Sequence, residues 1–490
     1  MHVVKPSLAE VKKYAEKFPC CPVYRRIPES TREPLEVFQA LKRLSRQCYV
    51  LESLEEAGDR GRYTFLGYDP KLEIACSDGN LSIKNGASIE IKTDAPGGYI
   101  NKILEDNRAP DIGGLPPFAG GLLGYFAYDY IKYREKSLKL DAADGEKFKD
   151  VDLMLFDKVI AYDHERREIL LIVNIRTDAV EENYNRAKGE LDHLERIVKT
   201  GETEKIPGLK LKSPFRALFG QEAYCGMVRA AKERIHEGDI FQAVLSNSFY
   251  ADAEGSLFGA YRILREINPS PYMFYLSSDK LEIAGASPET LVRLRGKAVA
   301  TFPLAGTRRR GRDAEEDAAL ERELLADEKE LAEHNMLVDL GRNDVGRVSK
   351  FGSVRVEKYL GIERFSHVMH IGSTVTGELK DGETALSALE AVLPAGTLSG
   401  APKLKALEII NGLENNKRGV YGGAIGYLSF SGNMDTCIAI RIAYKKNGRV
   451  FVRSGAGIVA DSVPEKEYEE CVNKAKAVLN ALERSAEGNE

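Results

Sequence analysis

The chain has 490 residues, of which 43% are hydrophobic and 30% charged, and its formal net charge is −5. This length predicts two to four domains or one large intertwined fold, and the composition is typical of a globular protein. The acidic balance gives no electrostatic reason to expect nucleic-acid binding, and no apolar run approaches the ~20 residues of a membrane-spanning helix, so we expect neither a nucleic-acid nor a membrane partner.

The first part of the chain, residues 1–205, shows mixed helix and strand patterns. Helical spacing of apolar residues predicts a helix over 34–44, and alternating residues predict strands over 48–55 and 61–70. Alternation continues over 71–92, where Asp-Gly-Asn and Asn-Gly are typical of hairpin turns. The segment therefore predicts an α+β region and not a helical bundle.

Two long paired strands are predicted over 151–175, followed by a helix over 181–199. The stretch 200–214 is polar and contains glycine and proline, which is typical of a linker. We therefore place a domain boundary there, between an N-terminal domain (1–205) and a C-terminal domain (215–486).

The second part begins with a predicted helix over 221–240 and a strand over 241–253. A run of strands broken by glycines follows over 281–311, and one long helix is predicted over 313–348. Runs of strands and runs of helices occur without strict βαβ alternation. This order predicts an α+β fold class.

Two pairs of glutamates repeat one spacing. Glu330 and Glu333 share a helix face at i and i+3, and Glu467 and Glu470 repeat the arrangement. Paired carboxylates suit a hard cation such as Mg²⁺, although with 75 acidic residues a solvent-exposed helix face is the alternative for each pair. His334, directly after the first pair, is expected to be structural. The seven histidines and seven cysteines show no zinc-ligand spacing.

Glycine-rich stretches over 393–403 and 452–462 have the composition of loops that hold a carboxylate or phosphate, with a helix-start turn or tight hairpin as the alternative. Neither is a dinucleotide or P-loop motif. His367 and His370 are candidates for proton transfer, with a structural histidine at a strand end as the alternative. The basic segment 307–312 predicts a surface or anion-site loop.

Taken together, these segments resemble the large (aminase) subunit of anthranilate synthase, in the chorismate-utilising enzyme family. The resemblance rests on "VLESLE", "GASPETLVRL", "PLAGTRRRG", "DEKELAEHNMLVDLGRND", "FSHVMHIGS", "PAGTLSGAPK", "RGVYGGAIGYLSFSGNMDTCIAIR" and "GAGIVADSVPEKEYEE". It implies mixed or antiparallel sheets packed together with helices outside, in two intertwined subdomains. It assigns a regulatory, tryptophan-binding role to 1–205 and chorismate binding to 215–486.

Two positions select among members of that family. Relatives that use water carry a lysine base where this chain has Gln242, so the resemblance implies ammonia as the nucleophile. Aminodeoxychorismate synthases typically carry a lysine for covalent catalysis where this chain has Ala305, which cannot form that adduct. The alternatives are an aminodeoxychorismate synthase component or a non-catalytic tryptophan-sensing relative.

The resemblance also implies a Mg²⁺ ion held directly by Glu333 and Glu470, with Glu330 and Glu467 contacting its waters. Glu289, His370 and Thr397 are the implied catalytic residues, with Glu289 as the acid or the guide for ammonia. The implied chorismate-binding residues are Gly306, Thr307, Tyr421, Arg441, Gly455, Gly457 and Lys474.

An inhibitor site for L-tryptophan is implied by the N-terminal motif together with "NPSPYMF". Its expected residues are Leu51, Glu52, Ser53, Pro271, Tyr272, Met273 and Tyr427, with plain strand packing as the alternative. Glu52 is expected to pair with the ligand's ammonium group.

No cysteine lies on the G-x-C-x-G turn that glutaminases use. We therefore expect ammonia to come from a separate glutamine amidotransferase subunit, in a heterotetramer of two large and two small subunits. The N-terminus has no apolar signal-peptide core, and the sparse cysteines suggest reduced thiols, so a cytoplasmic location is expected.

Overall fold

The computed structural model describes residues 3–29, 32–54, 61–365 and 368–488. In these ranges the α-helices are α1 (Leu8–Ala15), α2 (Pro34–Leu44), α3 (Pro96–Asp106), α4 (Val180–Thr200), α5 (Gln221–His236), α6 (Phe258–Ile267), α7 (Ala314–Ala326), α8 (Glu328–Val348), α9 (Ala385–Val392), α10 (Lys403–Glu414) and α11 (Pro464–Ala486). Short 3₁₀ turns lie at Tyr128–Tyr133 and Gly396–Leu398.

The strands of the N-terminal part are β1 (Val4–Lys5), β2 (Cys20–Pro28), β3 (Cys48–Glu52), β4 (Tyr63–Tyr68), β5 (Leu72–Ser77), β6 (Asn80–Asn85), β7 (Ala87–Lys92), β8 (Gly121–Phe126), β9 (Val151–Phe156), β10 (Lys158–Asp163) and β11 (Glu168–Arg176). Those of the C-terminal part are β12 (Lys210–Leu211), β13 (Arg216–Ala217), β14 (Gln242–Glu254), β15 (Tyr272–Ser277), β16 (Leu281–Ser287), β17 (Thr290–Arg295), β18 (Ala298–Thr301), β19 (Leu304–Arg309), β20 (Arg355–Arg364), β21 (Val368–Glu378), β22 (Gly400–Ala401), β23 (Ala424–Ser429), β24 (Met434–Ile438), β25 (Ile442–Lys446) and β26 (Arg449–Ile458).

These strands form two large sheets, and neighbouring strands pair antiparallel. The first sheet runs β1-β2-β11-β10-β4-β3-β15-β16-β25-β26-β14-β12, with β13 and β22 also paired to β14. The second runs β19-β21-β18-β17-β24-β23-β8-β9-β5-β6-β7, with β20 paired to β21. Each sheet takes strands from both halves of the chain, so the halves are intertwined.

One of the three large hydrophobic clusters lies between the two sheets. Aromatic side chains of the first sheet, such as Tyr49 and Phe274, pack in one cluster with Tyr125 and Tyr427 of the second. Helices α2, α4, α6 and α11 bury their apolar faces on the outer side of the first sheet. Helices α8 and α9 cover the outer side of the second sheet. The predicted α+β class, with packed sheets and helices outside, is confirmed.

Two sequence predictions about elements were wrong. The segment predicted as two paired strands contains three, because the chain leaves the second sheet after β9 and enters the first sheet at β10. The helix predicted over 313–348 is two helices, because Asp327 ends α7 and caps the start of α8, where its carboxylate accepts hydrogen bonds from the backbone N–H groups of Lys329 and Glu330. The predicted helix over 34–44 is confirmed.

The predicted boundary between 1–205 and 215–486 stays a prediction. Both sheets contain strands from either side of it. The strand predicted over 48–55 ends at Glu52, and residue 55 lies outside the described residues. Within the described ranges, no helix has the length and apolar character needed to cross a membrane. The seven cysteines are buried, unpaired thiols.

Candidate active site

A cleft of about 600 Å³ opens beside the N-terminal half of α11. Four of the predicted site residues line it: His370 on β21, Arg441 before β25, and Glu470 and Lys474 on α11. The loop after α6 and Pro288, next to Glu289, complete its wall. The fold therefore brings together residues that lie far apart in the sequence.

Glu289 lies between the end of β16 and the start of β17. Its Oε1 accepts a hydrogen bond of 3.0 Å from the hydroxyl of Thr397, at the 3₁₀ turn of the "PAGTLSG" loop. Burial raises the pKa of Glu289 to about 7, although Thr397, Arg441 and Lys474 each act to lower it. A carboxyl group with this pKa is partly protonated at neutral pH and can donate a proton.

The raised pKa of Glu289 has a consequence for stability. Between about pH 4.5 and 7 the folded chain binds more protons at this carboxyl than the unfolded chain, so the free energy of unfolding falls as the pH rises through this window. Glu289→Gln, which carries no charge, removes this cost of about 3 kcal/mol. We expect the difference in urea midpoint between the variant and the wild type to grow in the variant's favour from pH 4.5 to 8. An equal difference at both values would contradict the burial of this carboxyl.

His370 is held by the backbone of β19. Its Nδ1 lies 2.9 Å from the carbonyl oxygen of Gly306 and 3.1 Å from the hydroxyl of Thr307. Because a carbonyl only accepts, Nδ1 carries the hydrogen and Nε2 is left as the basic nitrogen. Burial lowers the pKa of His370. The imidazole is therefore neutral at pH 7.

A bulge in β19 makes this contact possible. The register between β19 and β21 shifts between Ala305 and Thr307, and Gly306 adopts a φ of +66°. Only glycine takes this conformation readily, and the bulge turns the Gly306 carbonyl out of the ladder towards His370. Gly306 was predicted to bind a substrate carboxylate; here its carbonyl orients the histidine.

Two of the predicted site residues that line the cleft are cationic. Arg441 follows the "DTCIAIR" strand with a φ of +51°, a left-handed conformation that is uncommon outside glycine and is found at functional sites. Its charge acts on both Glu289 and His370. Lys474 donates a 3.3 Å hydrogen bond to the Gly455 carbonyl and forms a 2.6 Å ion pair with Glu470. Together these cations suit a dianionic substrate.

The two glutamate pairs lie in the first two turns of α8 and of α11. Burial, with the nearby charges of Glu333 and Asp327, raises the pKa of Glu330. Burial also raises the pKa of Glu467, and Glu470 adds to this effect. Carboxylate oxygens that repel one another in this way are the type of ligand that a hard divalent cation prefers.

The pairs are not gathered into one cluster, since no three His, Cys, Asp or Glu side chains of the described ranges lie close enough to hold a metal. Basic side chains stand beside them: Arg308 lies 3.6 Å from Glu330, and Lys474 pairs with Glu470. Lys329, in the first turn of α8, acts on Glu467, so the two helix starts lie near each other.

Gln242 connects the glutamates to the second glycine-rich stretch. Its Nε2 lies 3.5 Å from Glu333 Oε1, and a Cβ added to Gly457 would come within 2.8 Å of the same nitrogen. At Gly455 a Cβ would meet the Leu245 carbonyl at 2.6 Å. Gly455 is therefore required where β26 approaches the backbone of β14, whereas a side chain at Gly457 would displace the flexible end of Gln242.

Several predicted residues lie elsewhere. Tyr421 is buried in the core and does not line the cleft. Glu289 and Thr397 line a separate small cavity of about 40 Å³, and the roles of all three residues stay predictions. His334 is buried, hydrogen-bonded to Ser373, and has its pKa lowered to about 4 by burial, which makes it a neutral structural residue. His367 lies outside the described residues. The arginines Arg308, Arg309, Arg310 and Arg312 pair with carboxylates of α7 and its flanks.

A second cavity, of about 490 Å³, lies between the two sheets, beside β3 of the first sheet. All seven residues predicted for tryptophan line it: Leu51, Glu52, Ser53, Pro271, Tyr272, Met273 and Tyr427. Polar side chains that the sequence analysis missed, Arg295 and Asp435, also line it, joined by a 3.0 Å hydrogen bond. This cavity therefore offers apolar walls with a charged pair.

Glu52 has protein partners in this structure. Its Oε1 accepts from Arg265 Nε at 2.6 Å and from the Tyr261 hydroxyl, and its Oε2 accepts from Arg265 at 3.1 Å. Both oxygens are thus engaged by α6. In this arrangement Glu52 fixes the cavity wall to α6, and its predicted pairing with a ligand ammonium group would have to displace these bonds.

Comparison with known proteins shows similarity along almost the whole chain. Residues 33–480 match the chorismate binding enzyme family. The chain is 44% identical to anthranilate synthase component 1 of Acetivibrio thermocellus, over 98% of this chain and 99% of that protein. It is 45% identical to the protein of the same name from Aquifex aeolicus, over 99% of each.

Solved structures agree. The anthranilate synthase component I from Streptococcus pneumoniae TIGR4 is 38% identical, with a TM-score of 0.74 over 92% of this chain and 98% of that one. The menaquinone-specific isochorismate synthase from Escherichia coli is 19% identical and shares the fold, with a TM-score of 0.69 over 97% and 99% of the two chains. The similarity thus covers both the cleft and the second cavity.

Proposed function

The chain belongs to the chorismate binding enzyme family, as its motifs predicted, and from this premise we propose that it is the aminating component of an anthranilate synthase. In this proposal it converts chorismate and ammonia to anthranilate and pyruvate, the first step of tryptophan biosynthesis. Near full-length similarity to proteins named anthranilate synthase component 1 supports the assignment. The short, neutral side chain of Ala305 and the amide of Gln242 favour amination over lysine-dependent chemistry.

The observation that carries the chemistry is the Glu289 carboxyl, with its pKa of about 7. Ammonia adds at C2 of chorismate while the C4 hydroxyl departs, and that hydroxyl needs a proton to leave as water. Glu289 supplies this proton from the oxygen that Thr397 does not bind. The new ammonium group at C2 then returns a proton to the carboxylate, so the amination is balanced.

His370 serves the second step. Its Nδ1 donates to Gly306, so Nε2 is free to accept the C2 proton of the aminated ring. Loss of that proton breaks the bond between C3 and the enolpyruvyl oxygen, pyruvate departs after protonation, and the ring becomes aromatic. Arg441 and Lys474 hold the enolpyruvyl carboxylate during both steps.

Mg²⁺ is part of the proposal. Glu333 and Glu470 would hold it, with Glu330 and Glu467 contacting its waters, and the ion would neutralise and orient the ring carboxylate of chorismate. The oxygen-only donor set and the raised pKa values of Glu330 and Glu467 support this choice of cation. Glu470 would then have to leave its ion pair with Lys474.

The test uses the purified chain with chorismate, Mg²⁺ and ammonium chloride at alkaline pH. Anthranilate fluorescence should appear together with an equal amount of pyruvate. Absence of both products would refute the proposal. Accumulation of a non-fluorescent aminated product without pyruvate would instead indicate an aminodeoxychorismate synthase.

Replacing His370 by glutamine separates the two steps. The amide keeps a hydrogen-bond donor near Gly306 but cannot take a proton at neutral pH, so we expect anthranilate formation to fall by roughly 10²–10⁴-fold. Amination, which depends on Glu289, should continue, and the aminated, non-aromatic intermediate should accumulate. Liquid chromatography of quenched reactions measures both compounds. Equal loss of intermediate and anthranilate would contradict this division of roles.

We further propose that the second cavity binds L-tryptophan as a feedback inhibitor and that ammonia is delivered by a separate glutamine amidotransferase subunit, in a heterotetramer of two large and two small subunits in the cytoplasm. The seven lining residues support the first point. The missing glutaminase cysteine motif supports the second. Calorimetry with tryptophan and activity with glutamine in the presence of the partner subunit test them separately.

A further inference from the structure

The cleft and the second cavity share a continuous stretch of wall. Asn268, Pro269 and Ser270, after α6, line the cleft. The next three residues, Pro271 to Met273, line the second cavity. A ligand that contacts one part of this six-residue segment, 268–273, therefore contacts a backbone that also lines the other site.

Within this segment the Tyr272 hydroxyl makes two hydrogen bonds of 2.8 Å, one with Asp435 Oδ1 and one with Thr290 Oγ1. The Asp435 carboxylate can only accept, so Tyr272 donates its single hydrogen there. The Tyr272 oxygen then accepts the hydrogen of Thr290. The result is a directed chain from Thr290 through Tyr272 to Asp435, whose other oxygen is bound by Arg295 at 3.0 Å.

Thr290 is the residue next to Glu289, and it is buried, with 4% of its surface exposed. The pairing of β17 with β24 is irregular at this point, since the register shifts between Thr290 and Val292. The strand ladder alone therefore fixes the start of β17 less firmly than its later residues. The Ile438 N–H donates to the Glu289 carbonyl at 2.9 Å, and the side-chain bond from Thr290 to Tyr272 adds a second constraint beside Glu289.

We propose that the Tyr272 hydroxyl is a positioning group through which the occupied second cavity controls Glu289, by way of Thr290. The inference rests on the proposed function, and it adds the physical route of inhibition. A ligand that contacts Tyr272 or the Asp435–Arg295 pair changes the bond that Thr290 makes, and the Glu289 carboxyl moves away from the position that serves the departing hydroxyl. Coupling of two sites requires such a difference in contacts between two states.

The test uses Tyr272→Phe and Thr290→Val, which each remove one partner of the bond and keep the side-chain volume. Tryptophan binding, measured by calorimetry, should weaken by no more than about tenfold, the value of one hydrogen bond. The ratio of the uninhibited rate to the rate at saturating tryptophan should fall by roughly tenfold or more in both variants. Without tryptophan, both variants should change kcat more than the KM for chorismate, because Glu289 acts in the chemical step.

Tyr63→Phe is the matched control. Tyr63 lines the same cavity, but its hydroxyl lies beside Asp163 on β10. This variant should remain fully inhibited at saturating tryptophan. The double variant Tyr272→Phe/Thr290→Val should lose no more inhibition than Tyr272→Phe alone, because that change already removes the bond to Thr290 together with the bond to Asp435.

Undiminished inhibition of both single variants at saturating tryptophan would overturn the inference, and so would additive losses in the double variant. Failure of the wild type to bind tryptophan would remove the feedback site itself and this route with it. Binding and inhibition of the wild type, with both variants inhibited to the same extent, would leave the feedback site standing and remove the Tyr272 route alone.

Discussion

Replacing Glu289 by glutamine is expected to lower anthranilate formation from ammonia by roughly 10²–10⁴-fold, the usual contribution of a general acid. Glutamine keeps the size of the side chain and can still accept the hydrogen bond from Thr397. It cannot give a proton to the departing C4 hydroxyl. The rate is measured by anthranilate fluorescence at saturating chorismate, Mg²⁺ and ammonium, and the KM for chorismate should change far less than kcat.

Glu390→Gln is the matched control for this experiment. Glu390 on α9 also accepts one hydroxyl hydrogen bond, 3.0 Å from Tyr130, and burial raises its pKa as well. It lines neither the cleft nor the small cavity that Glu289 and Thr397 line. The control should therefore keep its activity while it undergoes the same chemical change. Near wild-type turnover in Glu289→Gln would remove the proposed acid, and an equal loss in the control would show a general effect on folding.

Replacing Glu333 by glutamine is expected to lower turnover by roughly 100-fold or more, as for the loss of one electrostatic group at a reacting centre. The amide oxygen is a weaker ligand than a carboxylate for a hard cation. Calorimetric titration of Mg²⁺ into the variant, in the presence of chorismate, gives a readout that does not depend on turnover. The affinity of the variant for Mg²⁺ should fall together with its turnover. Glu330→Gln, which would touch only bound water, should cost about 10–100-fold in affinity.

Glu328→Gln is the control for the metal site. Glu328 lies in the same first turn of α8 but is exposed to solvent. It should leave both Mg²⁺ affinity and turnover unchanged. Unaltered Mg²⁺ affinity in Glu333→Gln would remove the metal assignment, whatever happens to activity.

Local patterns predicted many elements correctly and missed others for identifiable reasons. The helix over 34–44 was correct because its apolar periodicity is a local property. The change of sheet at Asp157 was missed because both sides of it show the same strand periodicity. The break at Asp327 was missed although a signal existed: an aspartate with a glutamate three residues later is typical of a helix start.

The sequence by itself determined the family, the α+β class and the residue types available for chemistry. Glutamate pairs at i and i+3, the glycine-rich stretches, and an alanine in place of a lysine are all written in the order of residues. These features depend on local geometry or on the identity of one side chain. They need no knowledge of which strands pair.

Only the tertiary structure decided which side chains meet. Glu52 on β3 and Arg265 on α6 are 213 positions apart, and their ion pair forms only when β3 pairs with β15. The hydrogen on His370 Nδ1 follows from a bulge at Gly306, which appears only when β19 pairs with β21. The raised pKa of Glu289 and its link to Tyr272 likewise depend on burial between elements. Burial, protonation and pairing are properties of the packed sheets, because each is set by neighbours that the chain brings together only on folding.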